Sequence, residues 1–469
     1  MLSGPRDPGW VTDRSTIDVR EAPPVGQTPS PARWFTRPHD KLAKFLRYIS
    51  RVYDLPTQFA SVSDGRRRAQ IRTEDVLRGL FFAATLRLPS FNVLEGELKR
   101  GPFQRLLGQR VRWDTKLFSA DTIARVLDSV EHAQLRKILR NVLYQAERNK
   151  VFRDGPLGAR RVVAIDGWEV FHSNHRSCSA CLKRSVREGG EFVVQHYHRV
   201  VVALLLGDDV EVVLDLEPLR NLDLRRAQGE ATDTHDGEQT AALRLIERLH
   251  EHYGGLIDLF VLDALYPNGP MMTAITGLGY GAVITLKKET DEPFKDGLAL
   301  MAGLPSSKQW MSADGKEHRE AWDVDDVETL ATFKGKVRVV RVEVASTRTK
   351  RSHTWCAAVI GEQARKLSVE VVHRLQRMRW HEENTLFNQW TQQWHLDHAF
   401  RHKPGAVTAV LLIWSLAFNL MQLFVYRRLR RPRVPRDPCD TIRAIVAAIR
   451  EAICALTAPV PWRLLIDSG

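Results

Sequence analysis

The chain has 469 residues, 43% of them hydrophobic and 27% charged, with a formal net charge of +13. That balance excludes a disordered or fibrous chain and leaves room for several domains with a sizeable core. The positive excess points to nucleic acid or another anionic surface as partner, and five cysteines in so long a chain exclude a disulfide framework and suit a reducing compartment.

Residues 1–38 carry Pro5, Pro8, Pro23, Pro24, Pro29, Pro31 and Pro38 among scattered charges and read as a disordered arm. Met1 to Arg20 lacks the apolar run of a secretory signal. Residues 39–155 read as a helical N-terminal DNA-binding domain. His39-Asp40 caps a helix with Leu42, Phe45, Leu46 and Ile49, Thr73 caps a second, Ser119 starts a third, and Glu131 to Lys150 gives a fourth. The basic run Arg66, Arg67, Arg68 suits phosphate contacts, or equally a solvated face.

Residues 156–290 read as the first part of a catalytic core. A β-branched run from Arg161 ends in Asp166 and is followed at once by Gly167. After a polar loop, Phe192 to Leu206 and Val210 to Leu216 complete a three-strand meander. Asp233 or Asp236 caps a helix running to about Tyr253. The run Leu256 to Tyr266 is a buried strand with Asp263 at its C-terminal end. A helix over Pro270 to Gly279 leads to another strand at Gly281. Residues 291–362 alternate with period two and read as an antiparallel β insertion.

Residues 363–428 complete the core, with a helix from Ser368 to about Arg401 and a second apolar one from Val407 to Tyr426. The latter is long enough to span a membrane, but Thr408, Ser415, Asn419 and Gln422 share one of its faces, which suits a buried helix with a polar seam. No membrane partner is expected. Residues 429–469 form a basic C-terminal arm and a last helix, about Asp440 to Leu456. The fold class expected is α/β, a mixed sheet flanked by helices, with a helical N-terminal domain and the antiparallel insertion.

The stretch Arg377 to His398 has no Pro or Gly to interrupt a helix. On it Trp380, Glu383, Phe387, Trp390 and Trp394 fall on one face, so that a carboxylate sits on an aromatic stripe and requires a compensating partner, while Glu382 points away as an ordinary solvated charge. A divalent cation shared with Asp166 and Asp263 is the natural partner. Two strand ends and a helix packed on their sheet bring three carboxylates within reach of two ions, an arrangement that clamps both oxygens of an in-line phosphoryl displacement. Oxygen-only ligands favour Mg²⁺ or Mn²⁺. Arg379, one turn before Glu383, contacts a phosphate or holds the carboxylate, with a surface ion pair as the plainer reading. Cys178 and Cys181 suit a structural Zn²⁺ with His172 and His175, or with His196 and His198 in their place. A reduced pair in a loop is the simpler reading, because Cys178, Cys181, His172 and His175 leave little chain to wrap an ion.

Three segments together resemble the DDE transposases of bacterial insertion sequences, in the branch with a β-rich insertion before the Glu. They are Ala164-Ile-Asp166-Gly with the Cys-x-x-Cys after it, Val261-Leu-Asp263-Ala-Leu-Tyr, and Arg379-Trp-His-Glu-Glu383-Asn384-x-x-Phe387-Asn388 with His395-Leu-Asp-His398 beyond. The resemblance covers about residues 40–403. It implies a ribonuclease-H-like core in which Asp166, Asp263 and Glu383 are the catalytic, metal-binding acids and Arg379 the basic partner. The implied reaction is metal-dependent nicking of double-stranded DNA at the ends of a mobile element, then strand transfer by the freed 3′-hydroxyl, carried out by a homodimer assembled on DNA in the bacterial cytoplasm or nucleoid. DNA contacts are assigned to Arg379, Asn384 and Lys287. Two departures affect end binding: Gln376 stands where a Tyr is frequent, and no Lys follows Glu383 within two turns. The rival readings are an inactive DNA-binding relative and a metal nuclease without strand transfer.

Overall fold

The computed structural model describes residues 41–112, 114–153, 155–287, 292–328, 330–349, 351–429 and 441–467. The expected arm 1–38, the His39-Asp40 cap and most of the basic arm after Leu429 lie outside the described residues. The architecture is mixed α/β, built around one largely open ten-stranded sheet flanked by helices.

The strands are β1 (Val162–Ser173), β2 (Leu182–Glu188), β3 (Glu191–Leu206), β4 (Val212–Pro218), β5 (Leu259–Leu262), β6 (Gly281–Leu286), β7 (Lys308–Met311), β8 (Glu317–Val327), β9 (Val337–Ser346) and β10 (Ser352–Ile360). Their order is β2-β3-β1-β5-β6-β10-β9-β8-β7, with β4 paired to β3. β1, β5 and β6 run parallel, whereas β3 is antiparallel to β1 and β10 antiparallel to β6. Every residue of β5 and β6 is buried, which explains their unbroken apolar sequence: a parallel strand covered on both faces has no polar side to show. The strands of 308–360 continue this sheet through the β6–β10 pairing.

Helices fill 41–148, and Leu42, Phe45, Leu46 and Ile49 are wholly buried there. Thr73 begins its helix without capping it; its hydroxyl donates to Asp64 Oδ2 at 2.9 Å. Ser119 does cap, accepting from the Thr122 amide. Neither Asp233 nor Asp236 caps the Glu238–Tyr253 helix, whose N-cap is Gly237. Asp236 is instead drawn inward, where it accepts from the Arg220 amide and pairs with Arg244 at 2.5 Å. The expected polar loop after β1 contains β2, an exposed, charge-rich hairpin partner of β3 whose composition hides its strand character.

The Pro404–Gln422 helix is buried along its length from Ala406 and packs on the Thr73–Thr85 and His132–Arg148 helices and on β4. Its polar seam has a definite use. Asn419 accepts from the Val213 amide and donates to the Val213 carbonyl, both at 2.8 Å, and Ser415 donates to Leu411 O. The seam thereby ties the apolar helix to β4 while leaving its amide satisfied. By length and composition the helix would cross a membrane, but here it is interior to the protein.

Candidate active site

Asp166 and Asp263 become neighbours through strand register. β1 and β5 pair in parallel from Val162–Leu259 to Ile165–Leu262, so the next residue on each strand is the aspartate. Asp263 follows the last residue of β5, and Asp166 lies within β1 just where its pairing with β5 ends, at the side of the sheet where open α/β folds leave a crevice. Asp263 Oδ1 accepts from the Leu265 amide at 2.6 Å, which closes the turn after β5. Asp166 Oδ1 accepts from the Gly167 amide.

Glu383 arrives from above. Ser368 caps the Val369–Met378 helix, which packs on β5, β6 and β10. A π-helical segment, Glu382–Phe387, follows, and then a short helix, Asn388–Gln392. Trp168 lies two residues beyond Asp166 on β1 and so points to the same face. Its ring stacks on Phe387 with centroids 5.9 Å apart and meets Trp390 at 5.2 Å. That aromatic clamp seats the Glu383 segment over Asp166.

Arg379 joins the two halves. Its Nη1 donates to Asp166 Oδ2 at 2.8 Å and to Glu383 Oε1 at 3.0 Å. The Arg379 side chain is 3% exposed, so this is a buried bridge rather than a surface ion pair. Burial pulls its pKa down, but the charges of Asp166 and Glu383 outweigh burial and leave it raised. Burial pushes the Asp166 carboxyl up to about 7; Arg379 opposes that shift, and the nearby Asp263 and Glu238 add to it.

The π-turn corrects the expected helix face. A π-turn takes one residue more than an α-turn, which shifts the phase of everything after it. Phe387, Trp390 and Trp394 are buried as expected, but Trp380 is 46% exposed. Glu383 turns into the crevice with its side chain half exposed. Glu382, expected in solvent, is 0% exposed, and neither of its carboxylate oxygens has a hydrogen-bond partner among the described residues. Burial pushes its carboxyl well above the usual range. The helix also stops at Gln392 rather than near Arg401, and His395 adopts a left-handed conformation (φ 54°).

Glu238 is a fourth acid that sequence reasoning missed. It opens the Glu238–Tyr253 helix, is nearly buried, accepts from the Tyr266 hydroxyl at 2.9 Å and pairs with Arg199 at 2.5 Å. A Cβ at position 167 would overlap its carboxylate, so the glycine after Asp166 is what lets it approach β1.

The expected DNA contacts fall in different settings. Asn384 is exposed beside Glu383, and Lys287 is exposed just beyond β6, at the same end of the sheet as the aspartates. Arg66 is taken up within the protein: it pairs with Asp64 at 2.6 Å and donates to Ile71 O, while Arg67 and Arg68 are exposed. Cys178 and Cys181 lie beside His198 and His402. His172 is exposed and bonds Glu169, and His175 is exposed. His402 carried no sequence signal, being 221 residues from Cys181.

No protein-family model matches this chain, and no curated protein matches it.

Proposed function

We propose that the chain is a DNA transposase of the DDE type, which nicks double-stranded DNA at the ends of its element and transfers the 3′-hydroxyl to a target. The observation that carries this reading is the bridge that Arg379 makes between Asp166 on β1 and Glu383 on the helical segment over it, with Asp263 set beside Asp166 by the β1–β5 register. The order β4-β3-β1-β5-β6, with β1, β3 and β4 antiparallel and β1, β5 and β6 parallel, is the arrangement a ribonuclease-H-like core requires and supports that assignment. The net charge of +13 fits a polyanionic substrate.

The donor set suits magnesium or manganese, since it consists of carboxylate oxygens alone. Asp166, Asp263 and Glu383 would hold two such ions, which supply an activated water or hydroxyl and neutralise charge on the phosphate. The chain's own residues do the rest. Asp166 and Asp263 are positioned by the β1–β5 pairing that ends one residue before each. Glu383 is presented from a π-helical segment with a changed helical phase. Arg379 neutralises Asp166 and Glu383 in the resting chain, and its guanidinium would serve equally as a donor to a substrate phosphate. A groove of about 680 Å³ beside this helix is lined by Trp310, Trp355 and Trp380 with charges of both signs, Arg374 and Arg377 against Glu317 and Glu370, and its aromatic wall suits stacking of an unpaired base.

The test is a joining assay. Linear duplexes carrying the inverted repeats that flank the gene, supplied with magnesium and a supercoiled target, should yield covalently joined products with 3′-ends attached. Nicked duplex with no joined product would instead make the protein a metal nuclease.

A further inference from the structure

We propose that Cys178, Cys181, His198 and His402 bind one structural Zn²⁺, separate from the acidic centre. The four donor atoms lie within 4.8 Å of one another. Cys178 Sγ is 3.5 Å from Cys181 Sγ and 3.2 Å from His198 Nε2; Cys181 Sγ is 3.4 Å from His198 Nε2 and 3.1 Å from His402 Nε2. Tetrahedral zinc with bonds of about 2.0–2.3 Å has donor–donor edges of about 3.3–3.8 Å. These four of the six edges match that tetrahedron to within a few tenths of an ångström, and the two involving His402 with Cys178 and His198 lie within 4.8 Å. The sulfurs are too far apart for a disulfide, whose length is about 2.05 Å.

The surroundings are those of a built site. The Cys178 amide donates to Cys181 Sγ, and the Cys181 amide returns to Cys178 O, so a tight turn presents both sulfurs to one point. Asn221 grips that turn from outside, donating to Ser179 O at 2.7 Å and to Cys181 O at 3.3 Å. Phe171 walls the far side, with its ring centroid 5.2 Å from that of His198 and 4.9 Å from that of His402. Cys181 and His198 are buried and Cys178 and His402 partly so, which suits a closed, four-ligand structural site rather than one with an open position. Zinc bound by two thiolates and two neutral imidazoles is electrically balanced, and its binding releases two thiol protons to solvent.

The ligands come from the β1–β2 connection, from β3, and from the segment after the Glu383 helix. The ion therefore fastens the strands around Asp166 to the chain that follows Glu383, across a segment that has lost its helix by Gln392. Its role is to hold the two halves of the acidic centre in register.

Full-length protein purified without chelator should contain about one zinc per chain by mass spectrometry of the metal. His402→Ala and Cys178→Ser should lose it, and His172→Ala should keep it. Wild-type protein gives a readout independent of variant folding. A mercurial thiol reagent should release the zinc to a chromophoric chelator, and cobalt substitution should give thiolate-to-cobalt charge-transfer bands with intense tetrahedral visible absorption. Absence of zinc together with absence of the cobalt bands, a Cys178–Cys181 disulfide, or full zinc retention in both His402→Ala and Cys178→Ser would overturn the proposal. These readouts do not depend on DNA chemistry, so they stand or fall apart from the transposase reading.

Discussion

Arg379 and Asp166 lie 213 positions apart in the sequence and 2.8 Å apart in the fold, and the same arginine nitrogen reaches Glu383 at 3.0 Å. A guanidinium thus stands between the two acids as their shared counter-charge. Replacing it by a neutral group leaves crowded carboxylates without a counter-charge. Arg379→Gln should cost about 3–5 kcal/mol, the range for removing one partner of a buried ion pair. Magnesium should then raise the melting temperature of the variant more than that of the wild type, as read by thermal melts with and without the ion. Equal shifts would mean that the acids do not share a cation.

Glu382 is the interior counterpart of this site, with both oxygens unpartnered among the described residues and no exposed surface. A carboxyl in such a place costs more than an apolar side chain of similar size. Glu382→Leu should stabilise the fold by about 1–3 kcal/mol in chemical denaturation at neutral pH. A destabilised variant would show that Glu382 has a partner in solution.

His373 supplies a pH signature remote from the acids. It is 1% exposed, both ring nitrogens lack partners among the described residues, and Trp355 packs on it at 5.7 Å. Burial lowers its pKa to about 4, helped by Arg319 and Arg377. In the unfolded chain it takes up a proton near its ordinary value of 6.5. The stability it contributes is therefore present above pH 6.5 and is lost as pH falls toward 4, by about 2–3 kcal/mol across that window. His373→Phe should flatten this part of the stability profile, as measured by denaturant midpoints between pH 4 and 7; an unchanged slope would reject the assignment.

Trp380 is nearly half exposed, with its ring centroid 5.5 Å from that of Trp355 on the wall of the groove beside Glu383. If that groove takes an unpaired base, Trp380→Ala should weaken binding of DNA with a frayed or single-stranded end by about 1–3 kcal/mol and leave binding of blunt duplex nearly unchanged. Equal loss on both, read by fluorescence anisotropy, would remove the groove from base recognition.

The parts legible in the sequence were those with a regular period. β-Branched runs marked β1, β5 and β6 and placed Asp263 at a strand end, whereas β1 runs on past Asp166 to Ser173. The polar seam of the Pro404–Gln422 helix was visible as a spacing, and Asn419 gives it a structural reason. The relation of Glu382 to Glu383 was not legible, because a π-turn adds a residue that no α-helical count includes. β2 escaped notice because an exposed hairpin strand needs no apolar alternation. Glu238 and His402 escaped for another reason: each joins its site through tertiary packing alone, and nothing near it in sequence marks it.

The most direct test is divalent-dependent nicking of supercoiled plasmid by the wild type and by Asp166→Asn, Asp263→Asn and Glu383→Gln, each near-isosteric and each checked for folding. Nicking that requires magnesium or manganese and falls at least about a hundredfold in every one of the three is the predicted result. Wild-type-level nicking in any one of these folded variants would contradict a shared three-carboxylate centre.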